Sequence, residues 1–452
     1  MKKISKLLAL VLVVVLSVSL LAACGEKENT SSPPAPETTS ESPNNTGNSN
    51  VSTNPADYWD PSKGPPPSFD LSSAVYSMDN RVPWQGIFSS PESSRASINK
   101  AIQASNKKDK VKVGYATWTV GSPFFAGMMD TIKAECDKYG WELVSMVSDA
   151  DIAQQVANIE NFVTLGVDVI IDCAFSGDAE AIAIQKAVDA GIPSIGLGLP
   201  FPDGTPLVTN AATMYYEQGF MVGMYAANEF KGIDVKAAFN PGGIGHPISD
   251  SKLNGFIGGF VYGRAIQLGK PFATREEAML YGYDLHQKIV GSAKFSDPDH
   301  KWEVVASIDG SWVRDGGQKA TEDILTAHPD INFMFADNDE QAQGAILAMN
   351  QAGLKPGADI KICCVGDGSR SALQLIQDGS ILCLTLASPY TWSKACTDLA
   401  HMIFNDGFDA TNLPSNVFLD NVLVDKSNVS QHIPPGNEEY TTLPDQQFVP
   451  IS

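Results

Sequence analysis

From Val111 onward the chain keeps one rhythm. A short apolar run is followed by a turn, then by a longer stretch with apolar residues three and four apart, then by a glycine. A strand buries its side chains with a period of two, and an amphipathic helix with a period near 3.6, so regular alternation of the two admits few folds. Residues 111–116, 141–147, 167–171 and 193–197 read as strands. Residues 124–139, 152–165 and 179–190 read as the helices between them, stopped at Gly140, Gly166 and Gly191. Strand–helix–strand repetition this tight predicts a parallel, doubly wound α/β sheet.

The rhythm restarts further along. Strands are expected at 235–240, 302–308, 331–336, 361–365 and 381–386, and helices at 249–264, 315–327, 340–352, 369–378 and 389–404. Two sheets of this kind imply two lobes with a crevice at the carboxyl ends of their strands, where such folds bind ligands. The expected division is residues 111–205 with 388–420 in lobe 1, and 206–387 with 421–452 in lobe 2. A three-segment hinge would run through 197–209, 385–389 and 418–424. Residues 268–301 break the rhythm and read as an insertion.

Ahead of this body the sequence changes character. Lys2, Lys3 and Lys6 precede an apolar run over 7–21, interrupted only by Ser17 and Ser19, and Leu21-Ala22-Ala23-Cys24 follows. Basic start, short apolar segment and small residues before a cut site make an export signal. Leu-Ala-Ala-Cys resembles the bacterial lipobox, which implies cleavage before Cys24, lipid on its sulfur and anchorage at the outer face of the cell membrane. The alternative is an uncleaved membrane anchor. Residues 24–69 are rich in Ser, Thr, Pro, Asn and Glu and read as a disordered stalk. Residues 70–110 form an N-terminal extension, with a helix beginning at Ser90-Pro91-Glu92 and turning Ile98, Ala101 and Ile102 inward.

Charge and cysteine usage narrow the function. Against 52 Asp and Glu stand only 31 Lys and Arg, so the cationic surface that nucleic acid needs is missing. The other six cysteines form no CxxC, and the six histidines sit at no metal-ligand spacing, so no metal or cofactor is implied. The cysteines read as buried small hydrophobes, with a bridge left open. A Gly-x-Ser-x-Gly elbow, a P-loop and a Gly-x-Gly-x-x-Gly after the first strand are all absent, which argues against an enzyme. Gly242-Gly243-Ile244-Gly245 reads either as a backbone turn or as a phosphate-binding loop.

Several short motifs fall in order on the expected strand ends. They are Ser122-Pro123-Phe124-Phe125, Ala190-Gly191-Ile192-Pro193, Asn338-Asp339-Glu340 running into Gly344-Ala345, and Gly366-Asp367-Gly368. Together they resemble the periplasmic-binding-protein type I family, in the sugar-binding branch that includes ribose- and galactose-binding receptors of ABC importers. The resemblance covers about 111–424. It implies a monomer that captures a small-molecule solute, in all expectation a sugar, by hinge closure and hands it to a permease. A sensor-kinase partner and a non-sugar solute such as a nucleoside are the alternatives. The missing helix-turn-helix segment and the exported N-terminus set aside a transcription repressor of the same fold.

A sugar needs aromatic plates for its C–H faces and carboxylates or amides around its edge. By the resemblance, Phe124, Phe125 and Trp312 are the stacking residues, Asn338 and Asp367 the edge binders, and Trp118 an additional aromatic. Phe125 also fits a helix core stripe, and Asn338 a helix N-cap. The pattern departs at Ser122, Ser176 and Ser388, which stand where amides or carboxylates are usual. Asp250 and Lys252 replace the usual arginine, Ile248 the acid expected two places after His246, and Arg314 adds a cation. The candidate ligand set is therefore Trp118, Ser122, Phe124, Phe125, Ser176, His246, Asp250, Trp312, Arg314, Asn338, Asp367 and Ser388.

Overall fold

A computed structural model describes residues 92–105 and 110–443, apart from positions 200, 203, 411, 412, 414 and 415. The expected export signal with Cys24, the expected stalk and most of the N-terminal extension lie outside the described residues. Among the described residues, no helix is long and apolar enough to cross a membrane.

In chain order the elements are α1 (Glu92–Ser105), β1 (Lys112–Thr117), α2 (Pro123–Tyr139), β2 (Glu142–Val147), α3 (Ile152–Leu165), β3 (Val169–Cys173), α4 (Gly177–Asp189), β4 (Ser194–Leu197) and β5 (Asn210–Thr213). Then come α5 (Tyr215–Glu229), β6 (Val235–Asn240), α6 (Pro247–Gln267), α7 (Arg275–Ser292), β7 (Phe295–Asp297), β8 (Trp302–Ser307), α8 (Arg314–Ala327), β9 (Phe333–Ala336) and α9 (Asp339–Gln351). The last are β10 (Lys361–Cys364), α10 (Arg370–Asp378), β11 (Cys383–Thr385), α11 (Pro389–Phe404), β12 (Asn416–Leu419) and β13 (Leu423–Asp425).

Two open sheets result, in the orders β12-β5-β4-β3-β1-β2 and β13-β11-β10-β9-β6-β8-β7. All pairings in the first are parallel; in the second, β13 and β7 close the edges as antiparallel strands. The two-lobed α/β architecture follows from the alternation, since every parallel crossover needs a helix to return the chain. The helix ends obey their local chemistry. Gly140, Gly166 and Gly379 stand left-handed after α2, α3 and α10, and the side chains of Asp151, Asn338 and Ser369 accept from the first turns they precede.

One boundary needs correction, and two segments gain a definite structure. Residues 210–213 belong to the first sheet, between β4 and β12, so lobe 1 extends past position 205 to Thr213 and the first crossing lies at Met214 rather than within 197–209. The stretch 268–301, read as an insertion, lies between α6 and β8. It supplies α7 and edge strand β7, the latter paired in register with β8. Tyr215–Glu229 is a further helix, packed on α6.

Candidate functional site

One cleft gathers residues that follow the carboxyl ends of β1, β3, β4, β6, β8, β9 and β10. It encloses about 960 Å³ of space, including solvent at its mouth. Of the twelve candidates it brings together Trp118, Ser122, Phe124, Phe125, His246, Trp312, Asn338 and Asp367.

The first-lobe wall is aromatic. Trp118, at the end of β1, meets Phe125 edge-on with ring centres 4.6 Å apart and lies 5.1 Å from Phe175. Phe124 sits 5.3 Å from Phe125 and 5.7 Å from Trp392, and Tyr215 continues the row 5.9 Å beyond Trp392. Tyr440, from the C-terminal tail, packs on Phe124 at 6.0 Å. Most of these contacts are close to perpendicular, so the rings form a concave surface rather than parallel plates.

The second-lobe wall is polar and built on a buried ion pair. Lys252 on α6 donates to Asp337 Oδ1 at 3.1 Å, to the Asp337 carbonyl and to the Val365 carbonyl. Burial works against both charges. Lys252 nevertheless holds Asp337 below the usual carboxylate range, and Asp337, with Asp367 near it, holds Lys252 above the ordinary lysine value. Asp337 Oδ1 also accepts the Trp312 indole N–H at 3.0 Å, and Asp337 Oδ2 accepts from Gly242 N and the Ser249 hydroxyl. The charged pair thus fixes the indole. Trp312 takes a left-handed backbone, φ 56°, and its ring covers Gly242 so closely that a Cβ there would lie 2.0 Å from Nε1. This explains the glycine-rich turn. The Gly242 amide already faces a carboxylate and the turn seats an indole, so the phosphate-loop reading is withdrawn.

Around this base stand the groups that face the cleft. His246 caps α6, its Nδ1 accepting from Ile248 N at 3.3 Å, which leaves Nε2 as the protonated, donating nitrogen. Burial lowers its pKa and outweighs Asp337 and Asp250, so the ring is neutral. Asn338 is both cap and cleft residue: its Oδ1 accepts from Gln341 N and its Nδ2 donates to the Trp312 carbonyl. Asp367 is 9% exposed; burial, then the charge of Asp339, pushes its carboxyl far above the usual range. Asp339, itself raised by burial, accepts from the amides of Asp367 and Ser369, so of the two Asp367 holds a proton more readily.

Four candidates do not line the cleft. Ser176 and Ser388 precede α4 and α11; the Ser176 amide donates to Glu180, and the Ser388 hydroxyl accepts from Tyr390 N. Their neighbours Phe175 and Ala387 line the cleft instead. Asp250 turns back to accept from Gly245 N, with His286 3.7 Å away, and Arg314 is exposed and tied to Glu340 and Gln343. Conversely, Phe175, Tyr215, Trp392 and Tyr440 line the cleft with no sequence signal, as do Glu340, which the sequence offers only as part of a helix-start motif, and Lys252, which it offers only as a departure from the family pattern. The six described cysteines are buried and unpaired; the Cys363 and Cys383 sulfurs lie 3.7 Å apart on adjacent strands. Among the described residues no cluster of His, Cys, Asp or Glu could hold a metal.

The periplasmic binding protein domain model matches residues 113–407. The chain belongs to that family. It is a family of binding proteins, and the cleft between the lobes is where this fold places a solute rather than a reaction. Among its relatives, the ribose import binding protein of Bacillus subtilis is 26% identical over 307 residues, which is 68% of this chain and 85% of that one. The ribose import binding protein of Salmonella typhimurium is 27% identical over 282 residues, covering 62% and 80%. An ABC transporter periplasmic solute binding protein from Actinobacillus succinogenes, solved with bound D-allose, shares the fold with a TM-score of 0.58 at 21% identity, covering 71% of this chain and all of that one.

Proposed function

We propose that this periplasmic binding protein captures a sugar or sugar-like solute between its lobes, closes on it, and presents the closed form to the permease of an ABC importer. In this reading Cys24 carries the lipid that holds the chain at the membrane, and the protein acts as a monomer. The observation that carries the proposal is the pairing of the two walls. Aromatic rings on one lobe suit the C–H face of a sugar, and His246, Asn338 and Asp367 on the other suit its hydroxyls. The ribose import relatives support the solute class. Bound solute favours closure because only the closed form lets both walls touch it at once.

Mass spectrometry of small molecules released from the purified, denatured chain tests the reading. A stoichiometric sugar is the expected result. A nucleoside or an amino-acid derivative in its place would keep the binding role and discard the sugar.

A further inference from the structure

The walls of the cleft differ more than a fully hydroxylated ring requires. On the first-lobe side, the lining side chains that carry a hydrogen-bonding hydroxyl or N–H are Trp118, Ser122, Tyr215, Trp392 and, from the tail, Tyr440. The Tyr215 hydroxyl already donates to the Gly198 carbonyl at 3.0 Å. Everything else nearby is Pro123, the phenylalanines and small or aliphatic residues. Opposite them, His246 Nε2, the Asn338 amide and the Asp367 and Glu340 carboxyls concentrate on a single side. A flat sugar face covers one ring. The first lobe instead offers Phe175, Trp118, Phe125 and Phe124 in a bent row, an apolar hollow with more surface than one plate. Each sugar hydroxyl pressed into that hollow without a partner loses its bonds to water.

We infer that the cleft is built for an amphiphilic solute: a sugar or related polyol held by its hydroxyls on the second lobe, with an aryl or alkyl substituent seated in the aromatic hollow of the first. This rests on the sugar reading above and narrows it from free monosaccharides to glycosides. The polar end is fixed by His246, Asn338 and Asp367, beside the Trp312 indole that Asp337 holds; the apolar end needs only shape and burial.

Titration calorimetry on the full chain tests this with D-ribose, D-allose, D-galactose and D-glucose, each as the free sugar and as its methyl, phenyl and octyl glycosides. At least one phenyl or octyl glycoside is expected to bind ten-fold or more tightly than its parent sugar. In Trp118→Ala that gain should shrink, the glycoside losing more affinity than the parent. Asp367→Ala should weaken both together. A parent sugar that binds as tightly as all its glycosides overturns the amphiphilic solute and leaves the sugar receptor standing. Failure of every sugar and every glycoside to bind overturns both.

Discussion

Asp172 lies fully buried on β3, behind the aromatic wall, close to the equally buried Glu180. Burial raises both carboxyls, and the Glu180 charge raises Asp172 further. Glu180 Oε1 accepts from the amides of Phe175 and Ser176, so Glu180 keeps the charge and Asp172 the proton. A carboxyl with a raised folded pKa holds its proton more tightly folded than unfolded. Its contribution is complete below the unfolded value near 4 and falls as pH climbs towards the folded one. Asp172→Asn cannot ionise and can still donate to Glu180. Urea titrations should therefore find it at least as stable as the parent above pH 7, with the difference narrowing towards pH 4. Glu180→Ala strands two amides and should cost about 2–4 kcal/mol; a larger loss in Asp172→Asn than in Glu180→Ala would reverse the assignment. Trp312 invites a second test. Gly242→Ala puts a methyl where the indole lies, so tryptophan emission should shift and solute affinity fall at least ten-fold, while the melting temperature changes little.

Helices α5 and α6 pack with their backbones in contact. A Cβ at Gly219 would lie 2.1 Å from the Lys252 carbonyl oxygen, at Gly223 2.1 Å from that of Phe256, and at Gly259 2.1 Å from that of Phe220. Close packing holds the α6 turn that carries Lys252 against the second sheet. Gly223→Leu should cost about 3 kcal/mol or more in denaturant unfolding, because backbone cannot yield as a side chain does. The same helices show what the sequence conceals. Nearly all of α5 from Tyr215 to Ala227 is buried, so it lacks the one-sided apolar period that marked α2 and α3. Strand β5 reads Asn-Ala-Ala-Thr, and neither it nor the short β12 makes an apolar run. Strands and helices with clean periods were legible to within a few residues. In the site, Trp312, Asn338 and Asp367 were legible as cleft residues through the family resemblance, whose motifs sit just after strands. Ser176 and Ser388 missed by one position because a strand-to-helix turn decides which neighbour faces the cleft. Tyr440 left no signal, since a tail residue has no period.

At the scale of the whole molecule, the C-terminal tail joins the lobes as the strands do. The Arg370 guanidinium on the second lobe donates to the carbonyls of Pro435, Gly436 and Glu438. The Leu443 amide donates to Thr391 on α11, and Tyr440 rests against Phe124 and Tyr390. Arg370→Ala should loosen the tail: limited proteolysis should cut within 432–443 faster, and solute affinity should drop as Tyr440 leaves the cleft. Small-angle scattering should show the chain contract on adding its solute, as closure requires. The path of the chain between lobes also fixes how that contraction proceeds. Strand β5, which ends at the first crossing, lies beside β12, which ends at the third, with Thr213 level with Leu419. On the far side β11 and β13 are likewise paired, with Thr385 level with Leu423. The crossings are thus clamped to one another at both ends, like the knuckles of a door hinge on a single pin. Sliding or twisting of one lobe past the other would shear those pairs, whereas swinging about the common line leaves them whole, so the receptor has one easy coordinate along which to open and shut.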